Sequence, residues 1–139
     1  MSDPFVADSS IGVAWSTPTQ GTPKTDQLLD DVALGRSVIV PSLWFLEVAN
    51  TLLKLERNHR IPAGHRRKAL AELAALSPQV DEAPAVSAFN TVSDVADKYG
   101  LSVYDAAFLE LALRRGVPLA SKDQPLIEAA KKAGVLLIT

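Results

Sequence analysis

The sequence predicts an α/β fold built on a parallel sheet, and three observations point there. Short apolar runs alternate along the chain with segments whose apolar residues recur every three to four positions. Glycines stand at 35, 100, 116 and 134, each just past such a segment, where a left-handed helix cap is expected. The 139 residues, 47% hydrophobic and 22% charged, suit one compact globular domain, 1–139, that buries its own core. Strands separated by helices imply right-handed crossovers and a parallel sheet, and such sheets carry their sites at the carboxyl ends of strands.

The first strand is read at Phe5-Val6-Ala7, with a helix beginning near Ser10. Ser16 to Lys24, holding Pro18, Gly21 and Pro23, reads as a loop. Leu28, Leu29 and Val32 form one helical face stopped by Gly35. Val38-Ile39-Val40 is a β-branched strand stopped by Pro41. Leu46, Ala49 and Leu53 mark the next helix, and Leu70, Leu73 and Leu76 another, started after Pro62. Gln79-Val80-Asp81 is a weaker strand candidate. Val86, Phe89, Val92 and Val95-Ala96 predict one helix ending at Gly100. Tyr104, Ala107-Phe108, Leu111 and Ala112 predict a second before Gly116. Pro118-Leu119-Ala120 is a strand, Leu126, Ile127 and Ala130 a helix, and Val135 to Ile138 the last strand.

Composition excludes several chemistries. Without cysteine there is no disulfide, no thiolate zinc site and no cysteine nucleophile. Two histidines, His59 and His65, are too few for an all-histidine metal site, and their polar surroundings predict exposed rather than catalytic rings. A net charge of -2 excludes a globally basic nucleic-acid coat, though not a local patch. Met1-Ser2-Asp3-Pro4 lacks the basic and apolar regions of a secretory signal, and no apolar run approaches the ~20 residues of a membrane span, so a cytoplasmic, membrane-free protein is expected. Gly-rich phosphate loops and the G-x-S-x-G elbow are missing.

What stands out is acid in apolar surroundings. Asp8 follows the first strand, and Asp123 comes just past the strand at Leu119-Ala120. Glu47 sits within Leu43-Trp44-Phe45-Leu46-Glu47-Val48-Ala49-Asn50, and Asp105 within Val103-Tyr104-Asp105-Ala106-Ala107-Phe108-Leu109. Asp8 and Asp123 also suit helix N-caps, and Asp105 lies three residues after Ser102 as in a capping box. Glu47, mid-helix, has no capping role; its plain alternative is a solvated face. Taken jointly, four carboxylates converging on one sheet edge would repel and stay ionised only around a cation. All-oxygen ligation selects Mg²⁺ or Mn²⁺, and such ions promote displacement at phosphorus.

At these residues the sequence closely resembles the PIN domain, and within it the VapC-type toxins of toxin–antitoxin systems. The resemblance is carried by Val6-Ala7-Asp8-Ser9-Ser10, by Pro41 to Asn50, by Leu101 to Ala112 and by Leu119-Ala120-Ser121-Lys122-Asp123, in that order. It implies a three-layer α/β/α sandwich with a central, mainly parallel sheet. It implies a Mg²⁺- or Mn²⁺-dependent ribonuclease with Asp8, Glu47, Asp105 and Asp123 as catalytic, metal-binding acids. Ser10, two places after the first acid, and Ser121, two before the last, match hydroxyl positions expected to orient ligands or waters. Asn50 matches a position often polar in the family; a simple hydrogen bond to a neighbouring helix serves it equally well. Some relatives carry a further acid where this chain has Gln124-Pro125, which leaves a second ion open. The implied partners are RNA, a VapB-type antitoxin and a second copy of the chain.

From Lys54 to Lys68 the cations Lys54, Arg57, Arg60, Arg66, Arg67 and Lys68 face one acid, Glu56. This stretch suits RNA phosphates, a protein partner or merely a solvated helical tip. The Trp44-Phe45 pair is a second candidate contact surface, with core packing as its plain alternative, as for Trp15. Two other readings compete. A receiver-like phosphoacceptor fits Lys122 superficially, but it wants an acidic pair after the first strand where this chain has Asp8-Ser9. A PIN-like binding module without catalysis is the other, and a complete acidic quartet argues against it.

Overall fold

The computed structural model describes residues 3–138; the first two residues of the segment read above for a signal lie outside them. Five strands form one parallel sheet: β1 (Phe5–Ala7), β2 (Val38–Pro41), β3 (Gln79–Asp81), β4 (Leu119–Ala120) and β5 (Leu137–Ile138), in the order β3-β2-β1-β4-β5. Pairing is set by short apolar registers, with Val6 opposite Ile39 on one side and Leu119 on the other. Phe5, Val6 and Ala7 are completely buried, as a central parallel strand covered on both faces requires. The chain moves from β1 outward to β3, then returns to the other side of β1. The strand order therefore reverses between β1 and β4, and a crevice at the carboxyl ends of those two strands is the expected binding place. A receiver-like domain has the order 2-1-3-4-5; the order found here removes that alternative.

Among the described residues, seven α-helices flank the sheet: α1 (Ser9–Ser16), α2 (Pro23–Ala33), α3 (Leu43–Arg57), α4 (His65–Ala75), α5 (Thr91–Tyr99), α6 (Val103–Arg115) and α7 (Gln124–Ala133). α1 packs on α2, α3 and α4, whereas α6 packs on α5, α7 and three of the strands, giving helical layers on either side. α6 buries Ala106, Phe108, Leu109, Leu111 and Ala112, more than one stripe, as befits a helix lying across the sheet. Gly100, Gly116 and Gly134 end α5, α6 and α7 at positive φ, as their places in the sequence predict.

Several readings change, among them the loop from Ser16 to Lys24, where α1 ends at Ser16, Pro18–Gln20 is a 3-10 turn and α2 begins at Pro23. The single helix expected from Val86 to Gly100 is broken: Ala85–Phe89 is a 3-10 turn, and α5 begins afresh because the Asn90 side chain accepts from Thr91 N–H. Val86 and Phe89, spaced like core residues, are exposed. Of the run Val135 to Ile138, only Leu137 and Ile138 pair with β4, while Pro41 extends β2 opposite Asp81 on the edge strand β3. Trp44 is no contact surface; it is buried, while its neighbour Phe45 is 39% exposed.

Candidate functional site

Asp8 is the first residue beyond β1, and its N–H extends the ladder to the Ala120 carbonyl of β4 at 3.1 Å. It is buried and caps α1, accepting from Ile11 N–H at 3.2 Å. The capping role and a place at the strand crevice therefore coincide. Two serine hydroxyls donate to its carboxylate: Ser10 to Oδ1 at 2.6 Å and Ser121 to Oδ2 at 2.5 Å. Each hydroxyl in turn accepts a backbone N–H from the segment leading to α7, Ser10 from Lys122 at 2.8 Å and Ser121 from Asp123 at 2.9 Å. Two hydroxyls thus tie the start of α1 to the β4–α7 connection through one carboxylate. Asp123 caps α7, accepting from Leu126 N–H at 3.2 Å.

A cleft of about 230 Å³ is lined by Asp8, Asp105, Asp123, Ser9, Ser10 and Thr51, with Val13 and Gln20. Asp105 reaches it from the first turn of α6, whose N-cap Ser102 accepts from Asp105 N–H at 3.1 Å. Glu47 is not among the lining residues. It stands beside the cleft on α3, half-buried, and its Oε1 is fully buried without a hydrogen-bond partner among the described residues. A different cavity of about 260 Å³, lined by apolar side chains such as Leu43, Val92 and Ala107, gathers none of the four acids.

The carboxyls feel their confinement. Burial pushes Asp8 upward, opposed by the Ser10 and Ser121 hydroxyls and Ile11 N–H, with the charge of Asp123 adding to the rise. Burial also raises Glu47; the Ser9 hydroxyl opposes it, and the charges of Asp105 and Asp8 reinforce it. Asp105 is raised by burial and by the charge of Asp123 against the Ser102 hydroxyl. Each of the four acids thus feels the charge of at least one other.

Does this set fit a divalent cation? Hard oxygen donors, mutual repulsion and an orphaned, buried Glu47 Oε1 are what a cation would relieve. Among the described residues, no three such groups are assembled closely enough to form a ready-made cage. A hard divalent cation that keeps several of its waters takes few direct carboxylates and does not require such a cage. The donor set fits a partly hydrated hard cation.

The family model of the PIN domain matches residues 5–132. The chain belongs to the PIN domain family. No curated protein matches it by sequence. Among solved structures, this PIN domain is similar to PAE2754 from Pyrobaculum aerophilum, at TM-score 0.74 and 21% identity over 97% of this chain and 83% of that one. It is also similar to VapBC2 from Rickettsia felis, solved with a promoter DNA fragment, at TM-score 0.66 and 12% identity over 96% of both chains. A toxin–antitoxin complex from Klebsiella pneumoniae matches at TM-score 0.57 and 14% identity over 86% of both chains. At these identities the likeness shows the fold.

The remaining expected residues fall elsewhere. Asn50 is exposed, and Thr51 holds the place at the cleft, one turn past Glu47. Thr51 and Ser9 were missed from the sequence; the i+4 step from Glu47 is the signal that marks Thr51. The basic residues stand in the last turn of α3 (Lys54, Arg57), in the connection after it (Arg60) and in the first turn of α4 (Arg66, Arg67, Lys68), and none of them lines the cleft. Arg66 pairs with Glu56 at 3.4 Å. His59 is exposed as expected, but His65 is half-buried, with Nε2 2.6 Å from the Ser16 carbonyl at the end of α1. Trp15 is likewise half-buried, its indole N–H donating to the Thr25 carbonyl at 2.9 Å. Among the described residues, no helix is long and apolar enough to cross a membrane.

Proposed function

We propose that this PIN domain is a Mg²⁺- or Mn²⁺-dependent endoribonuclease, the toxin of a type II toxin–antitoxin module. The observation that carries the reading is that Asp8, Asp105 and Asp123 line one cleft where the strand order reverses, with Glu47 beside it and its Oε1 buried without a partner among the described residues. These four carboxylates would hold the ion. Bound there, it would supply charge stabilisation at the phosphodiester and a water of lowered pKa. Asp8 is held by two hydroxyls before any ligand arrives, so it needs no reorganisation. Glu47, whose Oε1 has no hydrogen-bond partner among the described residues, would be the donor left free for the ion. Small polar side chains, Ser9, Ser10 and Thr51, leave room for a polymer backbone beside the acids.

The toxin reading draws support from the shared fold of the Klebsiella pneumoniae toxin–antitoxin complex and of VapBC2. An antitoxin of the VapB type and a second copy of the chain are the proposed protein partners. Phe45 and Leu46 at the start of α3, Val103 and Tyr104 at the start of α6, and Val86 and Phe89 in the 3-10 turn before α5 are exposed, and they offer the apolar contact such partners need. The test is to incubate the purified, partner-free chain with total cellular RNA and Mg²⁺ or Mn²⁺ and map the new ends. Discrete metal-dependent ends are expected, and cleavage undiminished by chelator would sink the reading.

A further inference from the structure

Charge is sharply segregated along this chain. Residues 54–68 hold six Lys+Arg against one acid, whereas the rest holds eight against fifteen. Lys54, Arg57, Arg60, Arg67 and Lys68 are all exposed. The first turn of α4 holds three of the stretch's cations and no acid, so it adds to the positive potential instead of offsetting it. The stretch is also tied geometrically to the acidic cleft. Glu47, Thr51 and Lys54 follow one another at i, i+4 and i+7 along one face of α3. Thr51 lines the cleft, and Lys54 continues that row toward the tip.

Resting on the nuclease reading, we propose that α3 and the start of α4 form a track for the phosphate backbone of single-stranded RNA, running from the cleft to the basic tip. Arg57 lies ten residues past Glu47, about 15 Å along the helix. At the ~3.4 Å rise of a stacked strand, that distance spans about four to five nucleotides. The substrate class is therefore RNA with an unpaired stretch of at least that length on one side of the scissile bond. Composition favours RNA over protein. None of the large hydrophobic side chains exposed on the described surface falls within 54–68; they lie elsewhere, as at Phe45, Leu46, Val86 and Phe89. Protein interfaces need an apolar centre, whereas a phosphate backbone needs only cations.

The experiment measures binding in chelator, so it does not depend on cleavage. Anisotropy with an unstructured RNA of about 20 nucleotides is followed between about 50 and 200 mM salt. The triple variant Lys54→Gln/Arg57→Gln/Arg60→Gln should bind about tenfold or more weakly, with the log–log salt slope reduced by about two. The control Lys24→Gln/Lys98→Gln/Lys132→Gln, the same charge removed from exposed sites elsewhere, should change both far less. Affinity of the unmodified chain should rise as RNA lengthens past about five nucleotides, a gain the first variant loses. Equal losses in both triples would reduce the effect to net charge and overturn the track. Unchanged RNA binding in the first triple, with an unaltered melt, would assign these cations to a protein partner and overturn it equally. Absence of metal-dependent cleavage with the binding result intact would instead count against the nuclease reading alone.

Discussion

The indole N–H of Trp44 donates to the backbone carbonyl of Asp8 at 3.0 Å, joining the first turn of α3 to the residue at the head of the candidate site. Trp44 is fully buried three residues before Glu47, so one hydrogen bond fixes both Asp8 and the helix that carries Glu47. Trp44→Phe keeps most of the apolar bulk and leaves out the donor. It should cost about 1 kcal/mol in urea unfolding and lower cleavage severalfold through looser placement of both acids. Cleavage at the original rate alongside that loss would detach this contact from the site.

Gly12 is where α1 meets that indole. A Cβ there would stand 2.7 Å from Trp44 Cζ2 and 2.9 Å from Val48 Cγ2. Gly12→Ala should therefore destabilise by about 1–3 kcal/mol, outweighing the gain of up to about 1 kcal/mol in helix propensity. Urea unfolding of the single variant measures the sign. A stabilised protein would mean that α1 and α3 are not held this closely.

The site carboxyls set a pH dependence. Asp8, Glu47 and Asp105 are raised above their ordinary values, chiefly by burial. An acid raised in the folded state favours folding fully below its unfolded pKa, and that contribution is lost as pH rises through the folded one. Without metal, stability should fall as pH climbs from about 4 toward neutrality, and Mg²⁺ should restore it by mass action. Glu47→Gln, free of any capping role, should raise the metal-free melting temperature at neutral pH. Thermal melts in chelator across this range check both; a lowered melting temperature for Glu47→Gln would contradict the crowded pocket.

On the edge strand the sign reverses. Arg114 donates to Asp81 at 2.8 and 3.0 Å, and Arg115 adds a further bond at 3.0 Å. The bonds from Arg114, with burial opposing and Arg115 helping, hold the Asp81 carboxyl down from 3.8 to about 2. Its contribution is present above the unfolded value and lost as pH falls from about 4 to 2. Arg114 is 40% exposed, so solvent weakens the pair, and Asp81→Asn should cost about 1–2 kcal/mol. Melts of Asp81→Asn at neutral pH and near pH 2 should differ from the parent only at the former.

How legible this was differed by element. Strands announced themselves by short apolar runs, and Asp8 and Asp123 by standing at or just past the ends of two of them. The hydroxyl contacts were not legible: Ser10 meets Lys122 N–H and Ser121 meets Asp8 across more than a hundred residues of chain, and only the sheet order creates those contacts. Helical spacing could not say that Val86 and Phe89 face outward, because the break comes from the local cap at Asn90. Nor could it say which way α3 turns, so Trp44 looked as free as Phe45 until Gly12 gave it a place to pack.

The central claim is that four carboxylates act together through a divalent cation. Cleavage of a defined RNA by the parent chain and by Asp105→Asn, titrated with Mg²⁺ from a chelated start, tests it most directly. Asp105 sits half-buried in the first turn of α6, so the amide should leave the fold intact, which a matched thermal melt confirms. The parent should be silent in chelator and saturate with Mg²⁺, and the variant should lose about 100-fold or more, the scale of a lost ligand or catalytic group. Metal-independent cleavage by the parent, or full activity in Asp105→Asn, would contradict the account.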